Sequence, residues 1–219
     1  METSTPENPL LPLQVPLILA SASPRRTELL RRIRIPHQVV VSPYEEEIPA
    51  HTSDPGALTE RLAMEKGLPV AQAHPHALVL SADTLVVLDN QVLGKPRTPG
   101  EAATMLRLLS NRFHHVYTGI CVTHQASGRV YTCHECTRVF FDALSDEEIN
   151  TYVQTGSPMD KAGAYGIQDD LGALFIKRIE GDYYNVVGLP LHRLYRILQD
   201  AFSDLLAQDN VSGAIRTEQ

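Results

Sequence analysis

Five arginines, Arg25, Arg26, Arg31, Arg32 and Arg34, fall within ten positions, directly behind Ser21-Ala22-Ser23-Pro24. Hydroxyls and free backbone N–H groups at a helix start favour an anionic group, and arginine adds bidentate charge-assisted bonds to phosphate. An ordinary capped turn accounts for Ser23 and Pro24 but not for the adjoining pair Arg25-Arg26, so the segment reads as a phosphate site. It is not a Walker loop, whose glycines and Gly-Lys-Ser/Thr ending are missing. Asp83, in Ser81-Ala82-Asp83-Thr84, follows an apolar run that places it at a strand end. A carboxylate there is costly to desolvate unless a cation or hydrogen bonds hold it, which suits a metal ligand or a base that activates water. A capping aspartate is the plainer alternative. Lys95, in Leu93-Gly94-Lys95-Pro96, is a point charge on a rigid platform, with Lys66 as a companion from an earlier helix. Alone it would be an exposed turn residue. The small residues of Asp160 to Gln168, and the later run Glu180 to Pro190, allow close backbone approach to a ligand, and Gln168 offers donor and acceptor to a base edge. A tight structural loop explains the glycines equally well.

These groups need elements to place them. Leu17 to Ala20 is a short buried-strand run, and Ser23 with Pro24 sets the N-cap and first residue of a helix to about Arg34. His37 to Val41 predicts a second strand, followed by an acidic loop through Glu45-Glu46-Glu47. A helix is expected over Pro55 to Lys66, stopped or kinked by Gly67 and Pro69. Ala77 to Ser81 and then Thr84 to Leu88 predict strands, turning at Asp89-Asn90 into Val92-Leu93 as a hairpin. Capping boxes at Thr98 and Ser145 open helices ending near Leu109 and Gly156. Phe113 to His124 and Arg129 to Ala143 form an antiparallel hairpin, Ala173 to Ile179 a strand, and Pro190 opens a terminal helix reaching Leu205. Alternation of strands and helices with a hairpin in the middle gives an α/β fold with a mixed sheet.

With 43% apolar and 21% charged residues in 219, the chain can bury one good core and is expected as a single domain over 17–206, between a disordered lead-in at 1–16 and a flexible tail at 207–219. No apolar run reaches the roughly 20 residues that span a bilayer, so neither a membrane protein nor a secreted one is expected. Three cysteines are too few for a disulfide framework, and a reducing cytoplasm fits them. The net charge of −7 argues against a general nucleic-acid binder, so any polyanion must be met locally. Cys121-Val-Thr-His124 and Cys133-His-Glu-Cys136 resemble paired zinc knuckles, but residues three apart in a strand point to opposite faces.

In order along the chain, LASASPRR (Leu19 to Arg26), RLAMEKG (Arg61 to Gly67), SADT (Ser81 to Thr84), LGKP (Leu93 to Pro96), DKAGAYGIQ (Asp160 to Gln168) and YYNVVGLP (Tyr183 to Pro190) resemble the motifs of the Maf nucleotide pyrophosphatases. The resemblance implies an elongated mixed sheet flanked by helices, two lobes with a central cleft, and hydrolysis between the α- and β-phosphates with a divalent cation, Mg²⁺ or Mn²⁺. KAGAYGIQ and Asp83-Thr84 are similar to the branch acting on dTTP and UTP. Carried over by position, Asp83 is the proton acceptor. Arg25, Thr84 and Gln168 set substrate choice, and Ser21, Arg26, Lys66 and Lys95 line the phosphate site. The family's acidic residue falls within Glu45-Glu46-Glu47, and Glu46 is taken as metal ligand beside Asp83. Asp169-Asp170 stand where glycine is commoner, a departure that bears on base selectivity. A homodimer is compatible with the resemblance. A nucleotide-binding regulator of cell division without catalysis is the competing function.

Overall fold

The expected alternation of strands and helices takes definite form in the computed structural model, which describes residues 8–169 and 171–207. The first half runs β1 (Leu17–Leu19), α1 (Pro24–Arg32), β2 (Gln38–Val39), α2 (Pro55–Ala73), β3 (Leu78–Leu88), β4 (Gln91–Leu93) and α3 (Pro99–Leu109). The second runs β5 (Phe113–His124), β6 (Arg129–Phe141), α4 (Asp146–Gln154), β7 (Ile176–Glu180), α5 (Tyr183–Val187) and α6 (Leu191–Ala201). The strands form one seven-stranded sheet of order β2-β1-β3-β5-β6-β7, with β4 paired to β3. β1 is parallel to β2 and β3, the pairs joined by helical crossovers, and the other pairs are antiparallel. No helix among the described residues is long and apolar enough to cross a membrane.

The sheet has a gap, and the gap makes the site. β5 covers one edge of β3 from Val79 to Val87. On the other edge β1 pairs only with Leu78–Leu80 and β4 only with Val86–Leu88, so Ser81–Leu85 have no strand neighbour on that side. Both faces of β3 therefore open into the same space.

Each face is also divided at that level. On one, Leu78, Leu80, Ala82, Ile120 and Val122 pack under Leu194 and Leu198 of α6, while Val86, Leu88, Val116 and Val139 pack with Leu106 and Leu109 of α3. Between these two cores stand Thr84 and Thr118, directly opposed in register. On the other face α2 lies over β3. Val79 meets Val70 and Ala71, Leu85 and Val87 meet Leu58 and Leu62, and Ser81 and Asp83 come between. A line of polar residues across a sheet cannot be buried in an apolar core without partners, so the apolar packing separates into two lobes around it.

Several expectations need correction. β3 is not two strands. It continues through Ser81 to Thr84 because β5 supplies an unbroken ladder, and Asp83 sits in the strand interior rather than at its end. α2 does not stop at Lys66 but passes through Gly67 and Pro69 to Ala73, because Val70 and Ala71 gain a buried apolar surface. Residues 8–16, expected as a disordered lead-in, pack on the first core: Leu11 is buried there, Asn8 N–H donates to Arg34 O, and Leu13 bridges Leu206. Residues 1–7 of the expected lead-in and 208–219 of the expected tail lie outside the described residues. The strand expected from Ala173 begins only at Ile176, after a 3₁₀ turn over Gly172–Phe175, and α6 ends at Ala201, short of Leu205.

α2 approaches the sheet most closely at Gly119, the residue opposite Asp83. A Cβ there would overlap the Thr59 carbonyl and lie 2.6 Å from the Glu60 amide nitrogen. Gly119→Ala should therefore destabilise the protein by about 1–3 kcal/mol, as overpacking does. A urea midpoint equal to that of the parent protein would contradict so tight an approach.

Candidate active site

A cleft of about 1490 Å³ opens along the gap in the sheet, lined by residues of both lobes. Ser21, Arg25, Arg26, Glu46, Lys66, Asp83, Thr84, Lys95 and Gln168 all face it. These nine residues, carried over by position from the family's motifs, are thus brought to one cavity, whereas Arg31, Arg32 and Arg34 do not line it.

The turn from β1 into α1 forms one wall. Ser23 holds the N-cap position with Pro24 in the first turn, but its hydroxyl makes no capping bond; Ser21 Oγ instead accepts from Ser23 N–H at 3.2 Å. Arg26 is buried beneath this turn. Its Nε donates to Gly188 O at 2.8 Å, one terminal nitrogen to Ser21 Oγ at 3.0 Å and the other to Thr84 Oγ1 at 3.0 Å. Thr84 Oγ1 also meets Thr118 Oγ1 at 2.9 Å, and Thr118 Oγ1 is within 2.9 Å of Asn185 O. Burial pushes the Arg26 pKa down and the neighbouring Asp83 pushes it back up; an arginine so placed keeps its charge. Sequence reasoning missed Thr118, which carries no local signature, and gave no role to Asn185 although it stands inside the Tyr183 to Pro190 motif.

The floor is built on β3 and α2. Asp83 is only 4% exposed. Its Oδ1 meets the Lys66 ammonium, which also holds Glu46 Oε1 at 2.7 Å. Two carboxylates thus converge on one cation, which singles out Glu46 from the acidic run. Asp83 Oδ2 is buried without a hydrogen-bond partner, an arrangement that invites a proton or a metal ion. Hard oxygen donors of this kind suit Mg²⁺ or Mn²⁺. No group of three or more His, Cys, Asp or Glu among the described residues is gathered around a metal position, so a cation there would need oxygens from the substrate or water as well. The cysteines of the zinc alternative are free, and Cys133 packs toward the first core while Cys121 is buried beside Thr123.

The second lobe contributes the far wall. Arg25 donates to Asp160 Oδ2 at 2.8 Å across the cleft, while Lys95 and Gln168 are exposed. Behind this wall His114 is buried, its Nε2 within 2.7 Å of the Tyr165 hydroxyl and its Nδ1 unpartnered. Burial pushes its pKa down to about 3, against about 6.5 in an unfolded chain. Between those values the unfolded state binds a proton that the folded state refuses. Stability should accordingly fall as pH drops below about 6.5, by roughly 1.4 kcal/mol per pH unit from this one residue. Urea midpoints of the parent and of His114→Gln at pH 7 and pH 5 measure it, and an equal loss in both proteins would discount the histidine.

The sequence profile described as Maf-like protein matches residues 16–201. The chain belongs to the Maf-like family. Among its relatives, a dTTP/UTP pyrophosphatase of Salinibacter ruber is 52% identical over 199 residues, covering 91% of this chain and 97% of its own. One of Symbiobacterium thermophilum is 53% identical over 182 residues, covering 83% and 92% respectively. One of Bacillus cytotoxicus is 48% identical over 182 residues, covering 83% and 93%. The cleft of this Maf-like chain therefore lies within the matched region, with all of the residues named above.

Proposed function

We propose that this Maf-like chain hydrolyses dTTP and UTP to the nucleoside monophosphate and pyrophosphate. The observation that carries the reading is the meeting of the serine–arginine turn, the Lys66–Asp83–Glu46 cluster and Gln168 in one cleft. The relatives, pyrophosphatases named for dTTP and UTP, share about half of its sequence over most of its length.

Water attacks the α-phosphorus, forming the new P–O bond of the monophosphate and breaking the bond to the bridging oxygen, which leaves with pyrophosphate. Asp83 takes the proton from that water, and its buried Oδ2 is the atom available to receive it. Arg25 and Lys95 meet the outer phosphates, and Lys66 balances the carboxylates until substrate arrives. Arg26, already committed to three oxygens, holds the Ser21 and Thr84 hydroxyls in place. Asp83 and Glu46 would hold a divalent cation, which when bound neutralises charge developing on the phosphate oxygens. Gln168 meets the pyrimidine edge. The reducing cytoplasm suits its three free thiols.

The test is pyrophosphate release from a panel of ordinary and modified triphosphates with Mg²⁺ or Mn²⁺. dTTP and UTP should be consumed in preference to CTP and the purine nucleotides, and a chelator should abolish turnover. Saturable binding of dTTP with no pyrophosphate would transfer the chain to the regulator reading.

A further inference from the structure

Lys161 is a buried ammonium that the proposed reaction does not use. It is 8% exposed and lies between two carboxylates, 2.6 Å from Asp160 Oδ1 and 3.2 Å from Asp169 Oδ2, with Ser157 O accepting from it at 2.5 Å. Each carboxylate serves a different wall of the cleft. Asp160 holds Arg25 through its other oxygen. Asp169 follows Gln168 directly and is held by further bonds: Tyr152 OH and Ser157 Oγ donate to Oδ2 at 3.0 and 2.9 Å, and its N–H donates to Gly166 O. A Cβ on Gly166 would lie 2.6 Å from the Asp169 carboxylate and one on Gly172 2.7 Å from Tyr152 OH, so glycine at both positions lets these side chains close on the turn.

We propose that Lys161 is a positioning residue that fixes the Arg25 guanidinium and the Gln168 amide at a set separation, through Asp160 on one side and Asp169 on the other, and so sets base discrimination. The inference rests on the pyrophosphatase reading and deepens it. An ammonium shared by two carboxylates can serve as such a spacer because it is itself buried while the Asp160 side chain is 59% exposed, so losing Asp169 would leave Lys161 tied to one exposed carboxylate. It acts on substrate only through other groups, so its loss should change selection more than the chemical step.

Asp169→Asn is close to isosteric and keeps an acceptor for Tyr152 and Ser157 while discarding the charge that Lys161 needs. Its KM for dTTP should rise on the order of 10-fold with kcat within about 3-fold, and its preference for dTTP over dGTP should fall on the order of 10-fold. Lys161→Met should lose at least as much preference, and Lys161→Arg should recover part of it. Thermal stabilisation by dTTP against dGTP, recorded without metal, gives the same comparison without turnover. A folded Asp169→Asn protein that keeps its parent's preference in both measurements overturns the proposal and leaves the pyrophosphatase reading intact. Should the parent release no pyrophosphate, the reaction is disproved, and the binding comparison still decides whether Lys161 positions the cleft.

Discussion

Asp83→Asn should lower pyrophosphate release by on the order of 10²-fold or more, the scale of a lost general base, while the protein remains folded. Asparagine occupies the same space in the interior of β3 and can still accept from Lys66, but it cannot take a proton from water. Folding should survive because Lys66 retains Glu46 Oε1 at 2.7 Å as an anionic partner, so no ammonium is stranded. The amide that takes the place of the partnerless Oδ2 is also unpartnered, but it carries no charge to bury. The measurement is kcat at saturating dTTP together with the thermal midpoint. Turnover recovered by raising Mn²⁺ would assign Asp83 to holding the cation, and turnover that stays low assigns it to proton transfer. Parent-like release by the folded variant would remove Asp83 from both roles.

What could be read from the sequence depended on how local the cause was. The capping box at Ser145 is complete, with Ser145 and Glu148 each bonded to the other's backbone N–H. The one at Thr98 is half made: Thr98 accepts from Glu101 N–H, but the Glu101 carboxylate turns to Arg97 N–H instead. Asp89-Asn90 adopts positive φ at both residues, +48° and +65°, as the short hairpin into β4 requires. These are near-neighbour effects that residue types announce. The continuity of β3 is not local. Asp83 in mid-strand is tolerable only because Lys66 arrives from α2, and Thr84 because Arg26 and Thr118 arrive from elsewhere. A single strand's residues cannot disclose those partners, so the carboxylate looked like an ending. Pro69 misled in the same way, since it signals a stop whose force is overcome by packing that only the sheet supplies. The short α5 inside the Tyr183 to Pro190 motif was hidden because Asn185, a poor helix former, is buried to bond Val116 O and Thr137 Oγ1. The candidate site was more legible than the fold around it, since its members carry charge or hydroxyls in short motifs. Asp160 and Lys161 lay inside one such motif, yet their joint role depends on Arg25, far away in the chain.

Arg26→Met should cost stability as well as activity, and here the two neighbouring arginines part company. The Arg26 guanidinium bonds Gly188 O after α5, Ser21 Oγ before α1 and Thr84 Oγ1 on β3, so one side chain joins three segments distant in sequence. Hydrogen bonds from a charged donor are worth about 1.5–3 kcal/mol each, and coupled bonds do not add in full. A loss of roughly 3–5 kcal/mol in urea unfolding is therefore expected, with kcat falling because Ser21 and Thr84 lose their placement. Lysine should not rescue it, because a single ammonium cannot match a planar fork aimed at three acceptors. Arg25 supplies the contrast. Its side chain is 22% exposed and its partner Asp160 is 59% exposed, so that ion pair adds little to stability, and Arg25→Lys should leave the urea midpoint nearly unchanged while weakening nucleotide binding. If Arg26→Lys matched the parent in both midpoint and kcat, the network would be incidental to the cleft. The opposite result would show that the first arginine of the pair faces the nucleotide while the second builds the wall behind it.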